Sequence, residues 1–201
     1  CLAKPQEKHW KAGIRLIAYL YQTKMLGLSY SPKIHEDLWN KPIGYVDAAW
    51  ASEKGSKSRG GHVIKVNGAA ISYQSKLIHS ICLSSAEAET TAAIACLKDI
   101  IWLRTLLYEL GYPQPGSTEV FEDSQAMIGG SSNNAQTKAS RYYQLRTAFI
   151  RQLVKSGTVH LNYINTEDQI ADTLSKNLGT EAFKKHQIGL LGPQPETLHK
   201  N

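Results

Sequence analysis

Four acidic residues in this 201-residue chain, Asp47, Glu89, Asp123 and Asp172, lie in stretches of mixed apolar and small residues. They stand in IGYVDAAWA, LSSAEAETTAA, FEDSQAMI and IADTLSK. Brought together, carboxylates in that number make a hard-cation site, because Mg²⁺ takes a few carboxylate oxygens and keeps several waters. Two such ions about 3.5–4 Å apart stabilise the attacking and leaving oxygens of phosphodiester cleavage. Clustered carboxylates repel one another, and bound cations relieve that repulsion. Each acid alone also has a plainer use. Asp123 before Ser124 at a strand-to-helix junction is a good N-cap, and Asp172 is equally well placed as a surface acid.

Glu89 has a close competitor in Glu87. Residues two apart on a helix point about 200° apart, so the two serve different purposes. Ser84 and Glu87 have the capping-box spacing, in which the serine accepts a backbone N–H and the acid reaches back. The apolar stripe of the same helix runs Ala92, Cys96, Ile100, Leu103, Leu107, Leu110, with Gly111 and Pro113 as the stop. Seven residues before Cys96 is Glu89, on the face turned to the rest of the fold. A carboxylate there is costly unless something pairs with it. The alternative is a first turn that overhangs the sheet edge and leaves Glu89 in water.

The elements that must position these acids follow from the patterning. Residues 7–24 read as a helix with Trp10, Ile14, Ile17 and Tyr21 in one stripe and Lys8, Lys11 and Arg15, in step with Lys4 just before the helix, on another face. Residues 29–42, with two prolines and no period, read as a linker, which puts a domain boundary near Pro42. Residues 43–51 read as a strand, 55–61 as a flexible cationic loop, and 62–73 as a hairpin about Asn67-Gly68. After the Glu89 helix comes a strand ending at Asp123, a short helix, and a basic helix over 137–157 with Tyr142, Leu145, Phe149 and Leu153 inward. Residues 158–165 alternate as a strand, and Thr166 with Gln169 has capping-box spacing for a helix carrying Asp172. One last short helix and a tail over 193–201 complete the chain. The order βββαβαβα predicts an α/β fold, a mixed sheet with three antiparallel strands first and helices on both faces. There is neither a GxGxxG nor a P-loop.

Composition bounds the reading further. No apolar run approaches the ~20 residues of a membrane helix, and the start shows no secretory leader. The opening at Cys1 suggests a piece of a longer protein. Three cysteines without a CxxC predict neither a disulfide framework nor a zinc knuckle and suit a reducing, intracellular setting. The net charge of +6 is unevenly spread. Residues 81–135 hold seven acids against two cations, whereas 136–165 hold five cations and no acid. That division invites a polyanion to the flanks and metal cations to the middle; a solvated helix face is the plainer reading of the basic stretch.

Six stretches in order carry a resemblance: HWKAGIRLIAYLYQTKMLGLSYS, GYVDAAWA, ISYQSKLIHSICLSSAEAETTAA, WLRTLLYELG, FEDSQAMI and YINTEDQIADTLSK. Together the chain resembles the ribonuclease H domain of copia-type LTR-retrotransposon Pol polyproteins, preceded by the end of reverse transcriptase. The resemblance implies a ribonuclease H-like fold over 43–192, with 1–42 belonging to the reverse transcriptase or its connection. It also implies catalytic, metal-binding roles for Asp47, Glu89, Asp123 and Asp172, agreeing with the face argument for Glu89. The implied activity is hydrolysis of the RNA strand of RNA–DNA hybrids with two Mg²⁺ ions, Mn²⁺ being an acceptable substitute. Hybrid choice would come from shape and 2′-hydroxyl contacts, with Ser85, Ser124 and Gln125 as candidates. Lys57, Arg59, Lys138, Arg141 and Arg146 are candidates for salt-dependent backbone contacts. Implied partners are the hybrid and the reverse transcriptase of the same polyprotein, with no membrane; the expected place is a cytoplasmic virus-like particle, or the nucleus.

Three departures from the family pattern stand out. Ala49 replaces a frequent second acid of the first strand. TKASR (137–141) replaces a segment that carries a histidine and an acid. His160, twelve residues before Asp172, is too distant for the auxiliary histidine of cellular ribonucleases H. Two rival readings follow: a catalytically silent hybrid-binding or connection module, and a strand transferase of the transposase or integrase kind. The latter lack a helix glutamate in this early place.

Overall fold

The computed structural model describes residues 3–30, 36–132 and 141–194. Helix α1 spans Glu7–Gln22, and strands β1 (Ile43–Glu53), β2 (Lys57–Val66) and β3 (Ala69–Ile78) form a meander. Then come α2 (Ser85–Glu109), β4 (Thr118–Glu122), α3 (Gln125–Ser132), α4 (Arg141–Lys155), β5 (Val159–Tyr163), α5 (Asp172–Ser175) and α6 (Thr180–Leu191). The sheet order is β3-β2-β1-β4-β5. Its first three strands pair antiparallel, and β1, β4 and β5 pair parallel. The fold is the mixed α/β sheet that the element order predicts.

Asn67 and Gly68 turn the β2–β3 hairpin with φ of 53° and 92°, the left-handed pair that a two-residue turn requires. The stretch expected as a cationic loop is a correction: from Lys57 onward it is strand β2, and only 54–56 turn. The two glycines that suggest flexibility serve close approach instead. A Cβ on Gly60 would lie 3.0 Å from Ala92 Cβ on one face, and one on Gly61 would lie 2.8 Å from Leu174 Cβ on the other.

Between the sheet and α2 lies the main core, with Val46, Ile64 and Val120 against Ala92, Cys96, Ile100 and Leu103. Leu110 departs from the expected stripe: it caps the helix and is 62% exposed. The stripe of α4 is likewise rotated. Thr147 and Ile150 are buried, Phe149 and Leu153 are half-buried, and Leu145 is exposed. Thr147 can face inward because its hydroxyl donates to the Tyr143 carbonyl at 2.9 Å. On the opposite face α5 and α6 cover a smaller cluster, in which Val63, Ala70 and Ile170 pack with Tyr45, Leu174 and Leu190.

The long helix expected from Thr166 is not formed. A 3₁₀ turn (Thr166–Asp168) precedes a four-residue α5. The capping partners are used elsewhere: the Thr166 hydroxyl donates to Asp123, and Gln169 is fully buried, donating to the Val46 and Phe121 carbonyls. Helix α1 buries none of its residues. It rests on α6 through the edge of Tyr19 against Phe183, 5.9 Å between ring centroids. No helix among the described residues is long and apolar enough to cross a membrane. Cys82 and Cys96 are buried free thiols.

Candidate active site

Alternation along β1 turns Val46 and Ala48 toward α2 and leaves Tyr45 and Asp47 on the α5 side. Parallel pairing of β1 with β4 ends at Tyr45 and Phe121. Past that point the strands part, and a parting of neighbouring strands is where open α/β sheets receive ligands. Asp47 and Asp123 stand at the opening, and Glu89 enters it from the start of α2. One oxygen from each of these three carboxylates lies within 4.8 Å of the others.

Asp172 approaches from α5 and is buried, but it joins the group through a cation. The Lys176 Nζ lies 2.9 Å from Asp172 Oδ1 and 3.1 Å from Asp47 Oδ1. The Ser175 hydroxyl donates to the other oxygen of Asp47, and the Thr166 hydroxyl donates to Asp123 Oδ2 at 2.8 Å. These contacts orient two of the three carboxylates from one loop and one short helix.

Sequence reasoning missed two charged members of this site. Glu122 is fully buried beside it, accepting the Ser124 backbone N–H at 3.0 Å. Its signal was the period of two in β4, where Thr118, Val120 and Glu122 share the buried face. Lys176 was also legible: it follows Asp172 by four residues, the spacing of a helical ion pair.

The crowding shows in the proton affinities. Burial, then the charges of Glu122, Asp47 and Asp123, push the Glu89 carboxyl up to about 10. Burial raises Asp47 to about 6 even against the Lys176 ammonium and the Ser175 hydroxyl. Burial also holds Glu122 well above the usual carboxylate range, against its bond from the Ser124 amide. Burial works against the Lys176 ammonium, but Asp47 and Asp172 outweigh it and raise its pKa. Glu89 Oε2 and Glu122 Oε2 are buried without a hydrogen-bond partner, an arrangement that costs free energy unless a proton or cation supplies one. An all-oxygen donor set, mutual repulsion and an unpartnered buried oxygen on Glu89 fit a hard divalent cation.

The helix caps free the acids for this use. Ser124, not Asp123, caps α3, its hydroxyl accepting the Met127 N–H at 3.3 Å. At α2, Ser84 accepts the Glu87 N–H at 3.2 Å, and Glu87 takes the Leu83 N–H at 2.8 Å. Glu87 is therefore spent on the cap while Glu89 is 6% exposed and turned inward. The solvated alternative for Glu89 does not hold.

Among the remaining sequence candidates, Ser85 and Gln125 are exposed at the first positions of α2 and α3. Arg146 donates to Thr91 at 3.0 Å and comes within 4.0 Å of Glu87, beside the start of α2. Arg59 is tied to Glu53 at 2.7 Å and Ser75 at 3.3 Å, and Lys57 is half-buried at the start of β2. Lys138 and the rest of 133–140 lie outside the described residues, and Arg141 enters only as the first residue of α4. His160 lies at the exposed edge strand, 3.0 Å from Glu119.

The chain is 32% identical over 194 residues to the retrovirus-related Pol polyprotein from transposon TNT 1-94 of Nicotiana tabacum, a match covering 94% of this chain and 14% of that protein. To the corresponding polyprotein from transposon RE2 of Arabidopsis thaliana it is 28% identical, over 95% of this chain and 13% of that protein. The chain belongs to the retrovirus-related Pol polyproteins of transposons. It spans about one-seventh of the length of those relatives. No protein-family model matches it. Among solved structures, LC11-RNase H1, isolated from compost by a metagenomic approach, superposes with a TM-score of 0.54 at 22% identity, over 73% of this chain and 97% of that one. This Pol-polyprotein segment therefore has the ribonuclease H fold, and its acid cluster sits where strands β1 and β4 part.

Proposed function

We propose that this segment is an endonuclease that hydrolyses the RNA strand of RNA–DNA hybrids during reverse transcription. The observation that carries the reading is the convergence of Asp47, Glu89 and Asp123 within 4.8 Å, two of them buried. Two divalent cations, Mg²⁺ or in its place Mn²⁺, would supply a lowered water pKa and charge neutralisation at the leaving oxygen. Asp47, Glu89, Asp123 and Asp172 would hold them. Ser175 and Thr166 fix the Asp47 and Asp123 carboxylates. Support from likeness is at the level of fold: LC11-RNase H1, 21% identical with a TM-score of 0.51 in this form, has been solved in complex with an RNA/DNA hybrid.

Ser85 and Gln125, exposed beside the acid-bearing turns, are assigned to the sugar edge of the hybrid. Ser124 combines such a contact with its capping role. Lys57, Arg59 and Arg146, with Lys138 and Arg141, are assigned to phosphates, giving binding that weakens with salt. Residues 1–42 are assigned to the end of the preceding reverse transcriptase, 43–192 to the nuclease domain and 193–201 to a tail. An α1 without buried residues and a sheet that begins at Ile43 support that division.

The test is cleavage of an end-labelled RNA–DNA hybrid in Mg²⁺, with duplex DNA and duplex RNA as controls. Glu89→Gln should abolish cutting of the hybrid's RNA, and Glu87→Gln should only lower the melting temperature. Binding of the hybrid without cleavage in either Mg²⁺ or Mn²⁺ would sink the nuclease reading in favour of a hybrid-binding module.

A further inference from the structure

The Lys176 side chain makes a connection that none of the four acids makes directly. Its ammonium bridges Asp47 and Asp172 at 3.1 and 2.9 Å, and those two carboxylates are 1% and 7% exposed. Asp47 also belongs to the triad with Glu89 and Asp123, so it faces two cation positions. One is bounded by the triad, and the other is spanned by the lysine. We propose that Lys176 is the resident counter-cation of the Asp47–Asp172 pair and must be displaced before a divalent ion can bridge those carboxylates. The inference rests on the reading above, in which the four acids hold two cations.

Steric and electrostatic arguments agree. Divalent ions of this class sit about 2.0–2.6 Å from their carboxylate oxygens, inside the volume that the ammonium occupies. Both cannot be present at once. An ammonium already paired with both acids also lowers the gain from bringing in a second positive charge. Displacement is mechanically easy. Lys176 follows the last residue of α5 in extended backbone, its side chain is 34% exposed, and its four-carbon stem is flexible. The triad position, by contrast, has an unpartnered Glu89 oxygen, and among the described residues Lys176 pairs with Asp47 and Asp172 rather than with Glu89 or Asp123. The two positions should therefore fill in order, triad first, with the lysine setting the affinity of the second.

The experiment measures ion binding by the whole chain without nucleic acid. Free Mn²⁺ is counted by electron paramagnetic resonance, and Mg²⁺ binding by calorimetry. Native protein is compared with Lys176→Met, Lys176→Gln and, as a surface control, Lys185→Met. Native protein should bind one ion tightly and a second more weakly. Both Lys176 variants should tighten the second site at least tenfold and leave the first within about threefold, while Lys185→Met changes neither. Melting in EDTA is the second readout: loss of the ammonium should lower the midpoint of the Lys176 variants, and Mn²⁺ should raise it by more than it raises that of native protein. Two ions bound with unchanged affinities in every variant would overturn the lysine proposal and leave the nuclease reading standing. Absence of ion binding in native protein and variants alike would overturn both.

Discussion

The side-chain amide of Gln169 donates to the backbone carbonyl of Val46 at 3.0 Å, across 123 residues of sequence. The same nitrogen reaches the Phe121 carbonyl at 3.3 Å. These are carbonyls at the place where β1 and β4 stop pairing, so one buried glutamine closes the gap that the parting strands leave. Asp47 and Asp123 lie one and two residues beyond. Gln169→Leu keeps the volume roughly and removes the donor. Leaving buried carbonyls unpaired costs about 1–3 kcal/mol each, so the urea midpoint should fall by an amount worth about 2–5 kcal/mol with an unchanged denaturant slope. Ion binding should weaken with it. A variant as stable as native protein would show that the strand gap is closed by something other than Gln169.

Stability of the cation-free protein should fall as pH rises. A carboxyl whose folded pKa lies above its unfolded value contributes stability that is complete below the unfolded pKa and is lost as pH climbs through the folded one. For Asp47 that window runs from 3.8 to about 6, and for Glu89 from 4.5 to about 10. In EDTA the melting temperature should therefore drop by several degrees between pH 5 and pH 9. Mg²⁺ should flatten the profile, because a bound cation takes over the role of the protons. A profile in EDTA that is level or rising over this range would refute the crowding described for the site.

Much of this was legible in the sequence, and the failures have physical reasons. Period and capping together separated Glu89 from Glu87, and the structure buries the first and spends the second on a cap. The Asn-Gly hairpin was legible because its backbone requirement is local. The stretch 57–61 was misread because glycines look the same whether they give freedom or close approach, and only the packing of α2 and α5 on opposite faces decides. Thr166 and Gln169 were misread because a capping box is a local option, which distant carbonyls and Asp123 outbid. Glu122 and Lys176 went unnoticed because a charge inside a strand pattern, or on a short helix, gains meaning only from what lies opposite.

Glu122→Gln separates shape from charge at the site. The amide can still accept the Ser124 N–H that Glu122 takes at 3.0 Å, and it needs no proton to stay neutral. Because burial holds the Glu122 carboxyl well above its ordinary value, native protein carries a penalty above pH 4.5 that the variant lacks. The variant should melt higher than native protein at pH 8 in EDTA and equally at pH 4. Hybrid cleavage should persist, since Glu122 lies outside the triad of converging oxygens. A lower midpoint at pH 8 would mean that the Glu122 carboxylate itself holds the site together.

Gly61 sets how closely α5 approaches the acids. It pairs with Asp47 in the β1–β2 ladder, and a Cβ there would meet Leu174 Cβ at 2.8 Å, Leu174 C at 3.0 Å and Ala171 O at 3.1 Å. Two of those atoms are backbone, so no rotamer change relieves the contact and α5 itself must shift. Asp172 and Lys176 travel with it, away from Asp47. Overpacking of this kind costs about 1–3 kcal/mol, which leaves Gly61→Ala folded at temperatures well below its midpoint. Hybrid cleavage measured there should nevertheless fall at least tenfold, because the fourth carboxylate no longer reaches its partners. Gly116→Ala, where an added Cβ meets nothing within 4 Å, should cut at the native rate. If Gly61→Ala melts lower yet cuts as fast as native protein, the position of α5 is a matter of stability alone, and Asp172 has no part in the chemistry.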